Sequence, residues 1–245
     1  MASQVLTDVR LFAVGADFSG ASNKVELSGQ VEVKNSTNYR SGGWGEVLGG
    51  LGSAELTGGG YWEAGDPSRV DDASWSQLGG RGPWTVTPNE ANVGALAYFL
   101  RGMRCDANLG GQVGDIAPWQ AKIASSWPLV RGQIAHPPGT ARTAAGSGTA
   151  LNLGAVPDGR RLYAALHVLS VAGTDNPALT VTVESDTDAG MASPVEQVAF
   201  TAATGPGGQI LRTAGDAITD TWWRISWDIS GTDPSFLFVA ALGII

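Results

Sequence analysis

The sequence is short of nearly everything that active-site chemistry draws on. Cys105 is the only cysteine, which excludes an intramolecular disulfide and any zinc site built from paired cysteines. The only histidines are His136 and His167, and the only lysines are Lys24, Lys34 and Lys122. No stretch approaches the run of about 20 apolar residues that crosses a bilayer, so no membrane association is expected. The opening "MASQVLTDVRLF" has neither the basic start nor the apolar core of an export signal, and synthesis in a reducing cytosol is the expectation. Positive charge is scarce too: 15 Lys and Arg face 23 Asp and Glu, for a net charge of −8. Such a chain repels phosphates, which excludes gripping nucleic acid through a basic face.

What the chain does have is glycine, tryptophan and short apolar runs. The 35 glycines are twice the usual share, and nine tryptophans accompany them. Val/Thr-rich segments separated by Gly, Asp and Pro predict an all-β fold with a minor helical part. In "NKVELSGQVEVKNST", Val25, Leu27, Val31 and Val33 alternate with Glu26, Ser28, Glu32 and Lys34. Period two over this length predicts a half-buried strand with a bend at Gly29. "SAELT" predicts a second, short strand. A helix is expected in "DPSRVDDASWSQLGG", capped by Asp66 or Ser68, with Pro67 in its first turn and Gly79-Gly80 at its end. Thr87, Pro88 and Glu90 stand in capping-box order and predict a helical turn, followed by a strand through "LAYFLRGMRC". Up to two more strands are expected around Pro128.

Residues 136–150, "HPPGTARTAAGSGTA", read as a linker. The expected organisation is therefore a β-sandwich or barrel with one flanking helix over 1–135, the linker, and a second β-sandwich-like unit over 151–245. That unit is expected to hold five strands: "RLYAALHVLSV", "ALTVTVESD", "EQVAFTAA", "WWRISWDIS" and "SFLFVAALGI". Leu179, Val181 and Val183 share one parity in the second of these, opposite Thr180, Thr182 and Glu184. The last strand is apolar on both faces, so it is expected to be central or covered.

The motifs of catalysis are missing. No GxxxxGK[ST] occurs, and the ten glycines of residues 41–65 lack the spacing of a dinucleotide fingerprint. They come with three glutamates and no Lys or Arg, so the stretch reads as a mobile or partner-contacting loop. No GxSxG or HExxH is present. His167 lies in an apolar strand pattern, as a hydrogen-bonded core or interface residue does. "ESDTDAG" resembles a calcium loop only in part, since the further ligands are missing, and reads as a solvated turn. No catalytic residue, metal or cofactor is expected.

A longer pattern remains, and it begins over residues 7–51. "TDVRLFAVGADFSGASNKVELSGQVEVKNSTNYRSGGWGEVLGGL" resembles the start of the major tail proteins, or tail tube proteins, of long-tailed phages, especially those of actinobacterial hosts. "DDASWSQLG" and "GDIAPWQAKIASSWPLVRG" continue the resemblance to about residue 135. "ALTVTVESD" and "DTWWRISWDISGT" resemble the second domain of some members. The resemblance implies a structural virion protein, made in the bacterial host cytoplasm, that assembles with itself into stacked rings. The rings, trimeric with pseudo-sixfold symmetry or hexameric, form a tube through which viral DNA passes without specific binding. Implied partners besides itself are tape-measure and tail-terminator proteins.

The resemblance also implies that the loop over roughly Tyr39 to Gly60 reaches the adjacent ring, with Trp44, Val47 and Leu48 as its contacts. A wall past which DNA slides should be acidic or neutral. Glu26, Glu32, Thr180, Thr182 and Glu184 lie on polar strand faces and are the candidates for a lumen or inter-subunit surface, although Lys34 shares the parity of Glu26 and Glu32. Two other classes compete with this. Trp62, Trp222 and Trp223 could stack on sugars in a carbohydrate-binding β-sandwich appendage of a virion. A carboxylate-dependent glycosidase through Glu63 or Glu184 has only the number of acids behind it.

Overall fold

In the computed structural model, residues 6–245 are described apart from Pro67 and Ala107. The first five residues of the N-terminal stretch and Pro67, expected in the helix's first turn, lie outside the described residues. In chain order the strands are β1 (Arg10–Ala13), β2 (Ala16–Asp17), β3 (Ser22–Asn35) and β4 (Val47–Tyr61), followed by helix α1 (Val70–Ser76). Next come β5 (Arg81–Thr87), β6 (Leu96–Arg104), β7 (Asn108–Leu109), β8 (Pro118–Ser125) and β9 (Val130–His136). The chain ends with β10 (Gly146–Ser147), β11 (Leu151–Asn152), β12 (Leu162–Asp186), β13 (Val195–Ala199), β14 (Gly207–Arg212) and β15 (Trp222–Ile244). The fold is all-β with a single helix among the described residues.

One hydrogen-bonded path runs β13-β12-β15-β9-β6-β5-β1-β2, and the other strands attach at its flanks. The ends of that path meet. His167 of β12 sits 2.8 Å from the hydroxyl of Thr85 in β5, and β14 packs on β5 so closely that a Cβ on Gly208 would stand 2.7 Å from Pro83. The sheet thus curls on itself and closes by packing.

Three cores result. Leu11, Leu56, Trp84, Trp119 and Ile123 fill the first, under α1. Leu166, Val181, Val183, Trp223 and Phe238 fill another, along the β12–β15 pair. Phe12, Phe99, Val130, Tyr163, Ile210 and Val239 form the third, with side chains from both halves of the chain. The two-sided apolar pattern of the last strand follows from this arrangement. Phe238 and Leu242 of β15 face one core, Val239 and Ala241 the other. Residues 136–150, expected to link the halves, run along β15: Arg142 bridges Phe236, and Gly146 pairs with Trp227.

Several local expectations are corrected. Helix α1 starts later than expected, and its N-cap is Arg69 with no side-chain cap. Asp66 is occupied instead in a local turn, where its Oδ1 accepts from the amide and the hydroxyl of Ser68 at 2.8 and 2.6 Å. No helical turn follows Thr87, because its backbone is engaged in the β1–β5 ladder opposite Arg10. "SAELT" is the middle of a 15-residue strand.

In the second half, "GTDNP" and "GTDP" look like turns but reverse nothing. They lie beside each other inside β12 and β15, with Thr174 opposite Thr232 and register shifts around them. Left-handed Gly173, Asp175, Asn176, Gly231 and Asp233 absorb the extra residues. Two pairs of expected strands therefore fuse into strands of 25 and 23 residues.

Candidate assembly surface

The alternation in β3 meets a core only at its start. Val25 and Leu27 pack against the α1-side core, while Val31 and Val33 are 64% and 69% exposed. The cause is reach. β8 pairs with β4 only from Ala54 to Tyr61, so β3 and β4 beyond Ser53 form a two-stranded ribbon that leaves the body of the fold. Val33 stands opposite Gly49 and Val31 opposite Gly52. Residues directly opposite in an antiparallel pair share a face, so these valines have bare backbone as their only cross-strand cover. The expected alternation is right about the strand and wrong about burial of its outer half.

The contact residues implied by the sequence resemblance all fall on this arm. Trp44 is in the connection between the strands, Val47 pairs with Asn35 and Leu48 with Lys34. All three are exposed, Trp44 by 82%, and Leu51 joins them at 83%. Val47 shares the face of Val33, whereas Leu48 shares that of Lys34, so both faces of the ribbon carry apolar groups. The connection has its own order. Ser36 N–H donates to Glu46 O at 2.9 Å, and Glu46 N–H donates to Thr37 Oγ1 at 2.9 Å. Sequence reasoning missed Val31, Val33 and Leu51 as members of this surface. Their signal was the run of glycines at 49, 50 and 52, which cannot cover the valines opposite.

The candidate polar faces separate into two groups. Glu26 pairs with Lys24 at 3.0 Å, and Glu32 pairs with Lys34, so both ends of β3 carry both signs of charge. Thr180, Thr182 and Glu184 form a row on β12 opposite Asp228, Ser226 and Arg224. Glu184 accepts from Arg224 Nε at 2.7 Å and from Ser226 Oγ at 2.8 Å, and Thr182 and Ser226 hydroxyls lie 2.6 Å apart. That row is a half-buried cross-strand network. No strand pairing joins β3 to β12, and the two groups do not form one patch through hydrogen bonding.

The two histidines and Glu63 have partners within the fold. His167 is fully buried, and burial pushes its pKa down to about 3. His136 stacks on Phe238 with ring centres 4.1 Å apart. Its Nδ1–H donates to Phe238 O at 3.0 Å and its Nε2 accepts from Arg142 Nε at 3.1 Å. Burial, reinforced by the charge of Arg142, takes its pKa to about 4. Both rings are neutral at pH 7. Glu63, a candidate glycosidase acid, pairs with Arg69 at 2.6 Å on the surface. Asp186 is held below the usual carboxylate range by the N–H groups of Ser193 and Asp188, which makes it the keeper of the "ESDTDAG" turn. Of the candidate sugar-stacking trio, Trp223 is fully buried and donates its indole N–H to Gly154 O at 2.9 Å. Among the described residues, no helix is long and apolar enough to cross a membrane.

No family model matches the chain, and no curated protein matches it. Among solved structures it is similar to a chain from the virion of a native gene transfer agent particle. That likeness has a TM-score of 0.41 and 19% identity over 52% of this chain and 97% of the other. A chain from the tail of an empty gene transfer agent particle with C6 symmetry gives 0.39 and 22% over 49% and 91%. The Dit protein of SPP1, described as a paradigm of the hub adsorption apparatus in phages infecting Gram-positive hosts, gives 0.36 and 12% over 97% and 99%.

Proposed function

We propose that this chain is a structural virion protein that self-assembles into stacked rings and forms a phage tail tube, a conduit for the genome. The β3–β4 ribbon carries the reading. It holds Val31, Val33, Trp44, Val47, Leu48 and Leu51 in water on a two-stranded extension. Isolated ribbons are marginal alone, and contiguous exposed apolar surface of this kind marks an interaction site. Burying each large side chain against a neighbouring copy contributes about 1.5–3 kcal/mol.

The outer edge of β3 is unpaired along its length among the described residues. Such an edge would invite aggregation in a monomer and serves association in an assembly. The sequence resemblance supplies the direction: arm to adjacent ring, and rings of three or six copies. The negative charge supports a conduit that does not hold DNA. No step of bond making is part of this role, and the histidines are consumed by internal hydrogen bonds.

The test is direct. Concentrated full-length protein viewed by negative-stain microscopy is expected to show rings or short tubes with a central hole. A protein that stays monomeric at every concentration, including with a tail nucleating complex, overturns the reading.

A further inference from the structure

Outside the arm, the most unusual arrangement of charge is a stack of two arginines on one indole. The guanidinium carbon of Arg101 in β6 lies 4.8 Å from the ring centre of Trp127, and that of Arg212 in β14 lies 4.4 Å from it. The two charges are therefore no farther apart than about one Debye length in 0.1 M salt, about 10 Å. Trp127 is firmly placed. Its ring meets Tyr163 of β12 edge-on at 5.7 Å, and it packs against the core shared by the two halves. The hydroxyl of Ser125 accepts from Trp127 N–H at 3.1 Å and lies 2.8 Å from Arg101 O, binding the connection to β6.

Among the described residues, neither arginine has a carboxylate within ion-pair distance. Among the described residues the carboxylate pairs engage Arg10, Lys24, Lys34, Arg69, Lys122 and Arg224. Arg101 and Arg212 are in none of them. Each guanidinium has five N–H donors, and contact with a ring face uses none. One donor is occupied: Arg212 Nη1 reaches Tyr163 Oη at 3.4 Å. Arg212 is exposed and Arg101 half-buried, so the remaining donors are within reach of a ligand. Two unpaired cations held close together, in a chain where acids outnumber bases 23 to 15, form a receptor for an oxyanion.

We infer that the Arg101–Trp127–Arg212 stack is a carboxylate-binding site that takes an acidic side chain from a second copy of this chain. This rests on the self-assembly reading. The occupant follows from charge. A second copy carries 23 acids against 15 bases, so it has carboxylates left over from its own ion pairs, and a carboxylate is an oxyanion that unpaired guanidinium groups match. The cation–π contacts hold both guanidinium groups in place before the partner arrives, which lowers the ordering cost of binding.

Full-length wild type, Arg101→Gln/Arg212→Gln and Arg101→Lys/Arg212→Lys are compared by sedimentation velocity across protein concentration at low and high NaCl, with circular dichroism and thermal unfolding alongside. The glutamine pair is expected to weaken self-association about tenfold or more and to flatten its salt dependence, with an unchanged spectrum. The lysine pair, which keeps the charges, is expected to recover part of the loss. Sodium phosphate, added as a free oxyanion at constant ionic strength, should weaken association of the wild type and, to a smaller extent, of the lysine pair, and leave that of the glutamine pair unchanged. Association of the glutamine pair identical to wild type overturns the site and leaves self-assembly standing. Duplex DNA binding that the glutamine pair abolishes also overturns it, since the occupant is then a phosphate. A wild type that never associates removes the self-assembly reading itself, and this proposal with it.

Discussion

At the scale of single residues, the two histidines are the most informative side chains. The sequence pattern around His167, an apolar strand, implies a hydrogen-bonded core or interface residue; the ring is a core residue, fully buried between Thr85 Oγ1 at 2.8 Å and the amide of Gly15 at 3.5 Å. His136 offered no such pattern. It stands among prolines and glycines, and only the tertiary pairing of β9 with β15 buries it.

Their protonation links stability to pH. The unfolded chain binds protons at both rings near 6.5, whereas the folded chain does so only near about 4 at His136 and about 3 at His167. Between these limits the unfolded state holds more protons, so stability is complete above the unfolded pKa and is lost as pH falls below it. Each histidine removes about 2–3 kcal/mol by pH 4.5. Urea unfolding at pH 7.5 and 4.5 checks this, in a window above the titration of the turn-holding Asp186. A His136→Gln variant should show a shallower dependence than wild type. Equal stability at the two pH values sinks the account.

At the scale of elements, the legible parts were those whose local pattern agrees with their surroundings. β6 and β9 were readable as strands because the apolar residues that suggest them, Ala97, Phe99, Val130 and Ile134, do find a core. β3 was readable as a strand, but its burial was not. Alternation reports which side chains share a face and is silent on whether anything covers that face. β4 was hidden because glycine is unfavourable in strands, and the pairing to β3 that forms it is tertiary information. The paired GTD segments misled for the opposite reason: turn residues also suit bulges when two of them lie side by side.

The arm therefore gives a sharp expectation. Trp44→Ser/Leu51→Ser removes apolar surface that nothing in the single chain buries, so monomer stability should change by no more than about 0.5 kcal/mol. Assembly should fall by about 100-fold or more, since two large side chains lose their burial in the neighbour. Light scattering together with urea unfolding separates the two effects. A large loss of monomer stability would show that the arm already packs on its own molecule.

At the scale of the whole molecule, the question is whether the expected boundary at residues 136–150 survives as an energetic one. Composition argued for it: the segment is poor in apolar bulk and rich in Pro, Gly, Ala and Thr. Against separate behaviour stand the core containing Phe99, Val130, Tyr163 and Val239 and the β9–β15 ladder from Gln133 to His136. Gly132 is what lets that ladder close. A Cβ there would stand 2.0 Å from Leu242 O, a backbone atom that cannot swing aside.

Domains joined only by a linker unfold independently, whereas parts that share a core unfold together. The wild type should accordingly show one transition, coincident by near-ultraviolet signals from its tryptophans and far-ultraviolet signals from its strands. Gly132→Ala must push β9 away from β15 at a cost of about 1–3 kcal/mol. Because the core under α1 contains none of the residues at that contact, it should outlast the seam, and the variant should unfold in two steps, the seam parting first. Two transitions already present in the wild type would show that the segment over 136–150 divides the molecule in energy as well as in composition. A single, merely lowered transition in Gly132→Ala would mean that the halves depend on each other so fully that neither core persists once the seam opens.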